Sequence, residues 1–158
     1  MSDFHTRPTG FPWPPFIYVC AVALAILLTI MVPLPWISGI FAEFLFAVGC
    51  LMLAGGIALI GLSMRALQRG GTTVNPTRAA SQLVTSGPFG ISRNPIYLGE
   101  TVIMIAIALI ASSPWFIVMG FVAAIATSYL AIRPEEKHLD LRFGRRYREY
   151  AKRVRRWI

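Results

Sequence analysis

Two adjacent acidic residues, Glu135 and Glu136, are the first candidates for chemistry in this sequence. They stand in a C-terminal segment, residues 133–158, that carries ten Lys or Arg and only four acids. Neighbouring carboxylates repel each other unless cations or hydrogen bonds satisfy them. We therefore expect one acid to pair with Arg133 or Lys137, which leaves the other available to a cationic ligand.

A second candidate group surrounds Arg93. Proline is favoured in the first turn of a helix, so a helix is predicted to begin at Pro95, with its free amide groups facing the preceding loop. A helix N-terminus beside an arginine favours a carboxylate or another anion. Glu100 lies just inside the same helix, about one turn beyond Tyr97. This group is typical of the edge of a pocket, and a basic loop resting on anionic lipid is the alternative.

Long uncharged runs must position these groups. Of the 158 residues, 56% are hydrophobic and only 14% are charged, whereas about 25% charged is usual in soluble domains. Residues 13–42, 44–64 and 101–132 contain no charge. A bilayer core about 30 Å thick needs roughly 20 helical residues, so the third run is too long for one ordinary span. Its Ser112-Ser113-Pro114 sequence favours a turn between two helices, and one kinked helix is the alternative.

The sequence therefore predicts an all-α, polytopic membrane protein with about four transmembrane helices in a single domain, residues 1–158. The predicted spans are about 15–34, 38–64, 95–111 and 115–132, with a loop at 66–94. All 15 Lys and Arg lie before the first span, in the 65–94 region or after the fourth span. By the positive-inside rule, both termini and the loop face the cytoplasm of a plasma or inner membrane. A cleavable signal peptide is not expected.

Two further patterns concern helix packing and the C-terminal segment. Small residues recur in the second span and suit close helix packing in lipid: Gly49, Ala54, Gly55, Gly56, Ala58 and Gly61. Apolar residues recur at helical spacing in the C-terminal segment: Leu139, Phe143, Tyr147, Tyr150, Val154 and Trp157. This stripe predicts an amphipathic helix at the membrane surface, so membrane lipids are favoured over nucleic acid as partners of the basic residues.

No metal site is predicted, because the two histidines are far apart and no other ligands cluster at suitable spacing.

At these residues the sequence resembles a known superfamily, the isoprenylcysteine carboxyl methyltransferases and phospholipid methyltransferases. The resemblance covers roughly residues 70–158 and depends on two blocks. They are Arg93-Asn94-Pro95-Ile96-Tyr97-Leu98-Gly99 and, after the last span, Glu135-Glu136, Leu139, Phe143-Gly144, Tyr147 and Tyr150. Asn94 stands where prenylcysteine methyltransferases typically have His, a form that is more similar to the phospholipid-type and broader prokaryotic-type members.

The resemblance implies S-adenosylmethionine as cofactor, bound at the cytosolic membrane face. The implied cofactor-binding residues are Ser81, Gln82, Leu83, Val84, Gly87, Phe89, Asn94, Pro95, Ile96, Tyr97, Gly99, Glu135 and Glu136. The residues proposed for catalysis are Glu135, Glu136, Arg93 and Glu100. In these roles either acid of the pair binds the ammonium or lies near the sulfonium, Arg93 takes the carboxylate, and Phe89 or Tyr97 stacks on adenine.

Several functions stay open at this point. The acceptor is expected to be lipophilic or lipid-linked, and its nucleophile is a carboxylate, an amine or a thiol. An amine or thiol needs a general base, for which Glu100 or one of the Glu135-Glu136 pair is available. The alternatives are a membrane scaffold with a lipid-binding basic tail, a small transporter, and a reductase related to the sterol reductases. The nearly wholly apolar spans disfavour transport.

Overall fold

A computed structural model describes residues 13–72 and 80–158, and in these ranges all regular structure is helical. The helices are α1 (Trp13–Met31), α2 (Ile40–Arg69), α3 (Pro95–Ile110), α4 (Pro114–Thr127), α5 (Arg133–Phe143) and α6 (Arg145–Arg153). A short 3₁₀ turn covers Gly87–Gly90, and a π-helical segment, Ser128–Ile132, joins α4 to α5. The all-α prediction is confirmed.

Three helices are long and apolar enough to cross a membrane. They are Pro14–Met31, Ile40–Arg69 and the continuous stretch Pro114–Phe143, and α3 is a shorter apolar helix. At 1.5 Å per residue the 16 residues of α3 extend about 24 Å, somewhat less than the roughly 30 Å of a bilayer core. The chain is therefore a polytopic membrane protein, as predicted, and α3 is shorter than these three membrane-crossing stretches.

The third uncharged run forms a helical hairpin rather than one kinked helix. Helix α3 ends at Ile110, and Ser112 takes a left-handed conformation with φ of 53°. The amide of Ser113 donates to the carbonyl of Ala108 at 3.0 Å, and α4 begins at Pro114. The end of α1 is tied to this turn, because Thr29 Oγ1 lies 2.5 Å from Ser113 Oγ.

The four apolar helices pack in the order α2, α3, α4, α1, so α1 lies against α4 and α3. A Cβ atom at Gly99 would lie 3.0 Å from the carbonyl oxygen of Gly56, and one at Gly56 would lie 3.1 Å from that of Gly99. The absence of side chains at this crossing allows α2 and α3 to approach closely. The packing prediction is thus confirmed for Gly56, and also for Gly49 against Ala106. It is wrong for Gly55 and Gly61, which face open space.

The C-terminal apolar stripe is carried by two helices rather than by one. Gly144 has a φ of 52°, a conformation that glycine adopts readily, and α5 ends there before α6 begins. Tyr147, Tyr150 and Val154 are buried against the rest of the protein, including Leu83 of the loop. The amphipathic α6 therefore directs its apolar side toward this loop, and the basic side chains face outward.

Candidate functional site

The predicted functional residues gather at one end of the bundle, which we call the polar end. Here α2 ends at Arg69, α3 begins at Pro95, and α5 and α6 follow the last apolar helix. The π-helical segment before α5 has hydrogen bonds that span one residue more than those of an α-helix, which inserts one residue into the helix. One added residue turns the following side chains by about 100° around the axis, so this segment helps to set the direction in which Glu135 and Glu136 project.

Glu136 is held by two arginines. The Arg93 Nη2 atom lies 3.2 Å from Glu136 Oε1, and Arg156 binds the same carboxylate through two nitrogens, at 3.1 and 2.5 Å. This bidentate geometry is the strongest arrangement available to an arginine and a carboxylate. The hydrogen bond to Glu136 raises the pKa of the Arg156 guanidinium. The prediction that one acid pairs with Arg133 or Lys137 is wrong, since the partners of Glu136 are Arg93 and Arg156. Arg133 instead stacks on the Tyr129 ring at 4.0 Å.

Glu135 has a different partner. Its Oε1 accepts a hydrogen bond of 2.8 Å from the hydroxyl of Tyr97, in the first turn of α3. The two neighbouring carboxylates are therefore satisfied separately, Glu136 by positive charge and Glu135 by a neutral donor. This division resolves the repulsion expected for adjacent acids and ties α5 to α3.

The C-terminal segment completes this part of the site. The Arg93 amide donates to the Arg155 carbonyl at 3.0 Å. Ser92 Oγ and Asn94 Nδ2 both donate to the Arg156 carbonyl, at 3.2 and 3.1 Å. These three bonds hold the segment against the residues that precede α3. The side-chain amide of Asn94 thus anchors the C-terminal segment.

Two tyrosines of α6 also contact the residues near the start of α3. Arg93 Nη1 donates to the Tyr147 hydroxyl at 3.3 Å, and the Tyr150 hydroxyl donates to the Phe89 carbonyl at 2.6 Å. Burial, assisted by the negative charge of Glu136, raises the pKa of Tyr147 to about 12. Both tyrosines are buried, so Tyr147 holds the Arg93 guanidinium and Tyr150 holds the backbone at Phe89.

The loop residues of the predicted site face a different opening. Gln82, Leu83, Val84 and Gly87 line a cavity of about 690 Å³ between the loop and the end of α2, where Arg65 and Arg69 also lie. Ser81 is bound to the start of the loop, with its Oγ donating to the Gly71 carbonyl at 2.7 Å. This volume lies within the range of roughly 300–1,000 Å³ that is usual for small-molecule sites.

A second, shallower depression of about 740 Å³ lies beside the acid pair. Arg93, Glu136, Tyr147 and Arg156 line it, together with basic residues of α5 and α6. The predicted residues are therefore divided between two openings, the loop set on one and the Arg93–Glu136 set on the other. Asn94, Pro95 and Gly99 line neither opening; they are buried, and Gly99 packs against α2.

Two buried polar atoms of the site have no hydrogen-bond partner among the residues that the structure describes. They are Arg93 Nε and Glu100 Oε2. Glu100 does not join the Arg93–Glu136–Arg156 cluster and lies one turn further along α3 than Tyr97. A buried polar group without a partner costs about 1–3 kcal/mol, so both atoms are suited to a polar ligand.

Sequence reasoning missed Arg156, Arg65 and Arg69. Arg156 is one of ten basic residues in the C-terminal segment, and nothing in its local pattern distinguishes it from its neighbours. Arg65 and Arg69 are four residues apart and so share one helix face, a signal that was available at the end of the second span. Tyr147 and Tyr150 belong to the apolar stripe that the sequence does show, so their burial was predictable.

The fold and this site define a polytopic, all-α membrane protein with a charged pocket region at one end of its helices. The phospholipid methyltransferase family model matches residues 44–146, and the chain belongs to this family. It is also 35% identical over 83 residues to the Delta(14)-sterol reductase TM7SF2 of Mus musculus. That match covers 50% of this chain and 19% of the reductase, so the chain spans only about a fifth of the length of this relative. No solved structure gives a significant match.

Proposed function

We propose that this protein is an S-adenosylmethionine-dependent membrane methyltransferase that methylates a lipophilic acceptor at the cytosolic face. The main observation in support of this proposal is the arrangement at the polar end. There, Arg93, Glu136 and Arg156 form one charged cluster directly beside the Tyr97–Glu135 hydrogen bond. Membership of the phospholipid methyltransferase family supports the reaction class. The excess of basic residues on this side of the spans supports the cytosolic placement.

The donor set of the polar end fits the cofactor. S-adenosylmethionine carries a carboxylate, an ammonium, a sulfonium and an adenine ring. The guanidinium of Arg93 has a buried Nε without a partner among the described residues, and it is suited to the carboxylate. Glu135 and Glu136 supply negative charge for the ammonium and the sulfonium. The rings of Tyr97 and Phe89 offer stacking surfaces for adenine.

Held by Arg93, Glu135 and Glu136, S-adenosylmethionine would supply an electrophilic methyl group for a lone pair of the acceptor, and its sulfur would keep the electrons of the broken carbon–sulfur bond. The protein's part is to align the acceptor with this methyl group and to exclude water. The paired arginines keep Glu136 fixed, and Tyr97 fixes Glu135. An amine acceptor must also lose a proton, for which Glu100 and Glu135 are the available carboxylates.

Among the three acceptor classes, the family match favours the phospholipid type, in which the nucleophile is an amine. Glu100 supports this choice, because it places a carboxylate one turn further along α3 than Tyr97, with Oε2 buried and without a hydrogen-bond partner among the described residues. A carboxylate acceptor, as in prenylcysteine methyltransferases, needs no base and is the first alternative. A thiol acceptor is the second.

Transfer of a radiolabelled methyl group from S-adenosylmethionine into a host lipid extract tests the proposal. We expect saturable incorporation by the wild type and a loss of at least tenfold in Glu136→Gln, whose side chain touches two arginines. Glu149→Gln is the matched control, since the ion-pair partner of that acid among the described residues is the exposed Arg145. Label that is stable to base indicates N- or S-methylation, whereas base-labile, volatile label indicates an ester. Absence of incorporation by the wild type would contradict methyl transfer.

A reductase is the second candidate, because of the similarity to the Delta(14)-sterol reductase TM7SF2. A reductase requires a hydride donor, and the two openings with their arginines suit an anionic nucleotide as well. Consumption of reduced nicotinamide cofactor in the presence of an unsaturated sterol, without methyl transfer, would favour this activity. A membrane scaffold predicts neither reaction, and calorimetric titration with S-adenosylmethionine in detergent separates it from the enzyme.

A further inference from the structure

Helix α1 contributes a tyrosine, Tyr18, to a hydrogen-bonded network next to the site. Its side chain is only 7% exposed and packs in the core formed by α1, α3 and α4. The Tyr18 hydroxyl lies 2.7 Å from Thr101 Oγ1, and it donates to the carbonyl oxygen of Tyr97 at 3.3 Å. A phenol hydroxyl in an apolar helix core is costly unless it is hydrogen-bonded, so these two contacts fix its position.

The Tyr97 carbonyl is the point at which this network meets the site. It accepts hydrogen bonds from Tyr18 and from Thr101 Oγ1, the second at 2.9 Å. The side chain of the same residue donates to Glu135 at 2.8 Å. A continuous series of hydrogen bonds therefore runs from α1, through the first turn of α3, to α5.

We infer that Tyr18 is a positioning residue for the methyl-transfer site. Its hydroxyl holds the backbone of Tyr97 and so sets the direction from which the Tyr97 hydroxyl reaches Glu135. The inference rests on the proposed function. It goes beyond the family assignment, since the family model matches residues 44–146 and helix α1 lies outside that range.

Substitution Tyr18→Phe tests the inference, because it keeps the ring and removes only the hydroxyl. Loss of one hydrogen bond that orients a reacting group is expected to lower kcat about three- to tenfold. The KM for S-adenosylmethionine is expected to stay within about twofold, since Tyr18 contacts neither Arg93 nor Glu136. The matched control is Thr29→Val, which removes a hydroxyl from the other end of the same helix, where Thr29 contacts Ser113.

Thr101 offers a second test of the same network. Thr101→Ser keeps the hydroxyl and is expected to retain the wild-type kcat, whereas Thr101→Val is expected to lose about as much as Tyr18→Phe. The double variant, Tyr18→Phe with Thr101→Val, is expected to fall by less than the product of the two single effects, because both hydroxyls act on one carbonyl.

The outcomes separate this inference from the proposed function. If the wild type shows no methyl transfer and no saturable binding of S-adenosylmethionine, both fail. If the wild type is active and Tyr18→Phe has the same kcat, only the positioning role is overturned. Equal losses of kcat and of melting temperature in Tyr18→Phe and Thr29→Val would also overturn it, because they would assign the effect to the stability of α1.

Discussion

The ion pair between Arg156 and Glu136 should hold the C-terminal segment in the site, and Arg156→Gln tests this. The side chains are 34% and 16% exposed, so the pair is partly buried. At separations near 3 Å and an effective dielectric constant of about 20, the gross attraction is about 5 kcal/mol. Desolvation offsets more than half of this, and we expect a net contribution of about 2 kcal/mol, as for other hydrogen bonds to charged groups.

Hydrogen–deuterium exchange is the appropriate assay, because the Arg93 amide donates to the Arg155 carbonyl and is exposed only when the segment opens. A loss of about 2 kcal/mol from the closed state raises the open population, and with it the exchange rate, by about 30-fold. The control is Arg145→Gln, which breaks an exposed pair worth about 0.5 kcal/mol and should change exchange at Arg93 by less than about twofold.

Two results would refute this reasoning. The first is an exchange rate at Arg93 that Arg156→Gln leaves within twofold of the wild type. The second is an equal increase in Arg145→Gln, which would mean that any loss of charge loosens the segment. A double-mutant cycle with Glu136→Gln adds a further check, since the double variant should lose little beyond the larger single effect.

Three further predictions follow from the fold and the site. Replacement Tyr97→Phe should lower kcat about tenfold through loss of the hydrogen bond to Glu135, whereas an unchanged kcat in the methyl-transfer assay would remove that hydroxyl from the mechanism. Gly99→Ala should destabilise the protein by about 1–3 kcal/mol, because its Cβ would lie 3.0 Å from a backbone oxygen of α2. The thermal unfolding of Gly55→Ala, at a position open to lipid, should match the wild type; equal losses in both would contradict the packing. Finally, a fluorescent protein fused to the C-terminus should fluoresce, because that end is proposed to lie in the cytoplasm, whereas alkaline phosphatase fused at the same position should be inactive. The reverse pattern would contradict the proposed orientation.

The sequence was sufficient to predict the apolar helices and the hairpin of α3 and α4, because each depends on local composition. Uncharged runs long enough to span a bilayer leave little choice but helix, and Pro114 after two serines interrupts the run 101–132 where the structure places the turn. Residue type also indicated close packing in α2. It did not show which glycines face α3, because Gly55 and Gly56 are neighbours in sequence and project in different directions.

The sequence could not show which arginines pair with Glu136, because the pairing depends on how distant segments meet in the fold. Arg133 and Lys137 are close to the acid pair along the chain, yet Glu136 pairs with Arg93 and Arg156, which are 43 and 20 residues away. Such partners are set by how α3, α5 and the C-terminal segment meet, and the π-helical segment changes the direction of α5 side chains in a way that helical periodicity alone does not anticipate.

Calorimetric titration of the purified protein with S-adenosylmethionine tests the central claim most directly. We expect saturable binding at one site by the wild type and by the control Glu149→Gln, and at least tenfold weaker binding by Glu136→Gln, which removes the charge that holds Arg93 and Arg156. Absence of saturable binding by the wild type, or equal affinity in all three proteins, would contradict a cofactor site at Arg93 and Glu136.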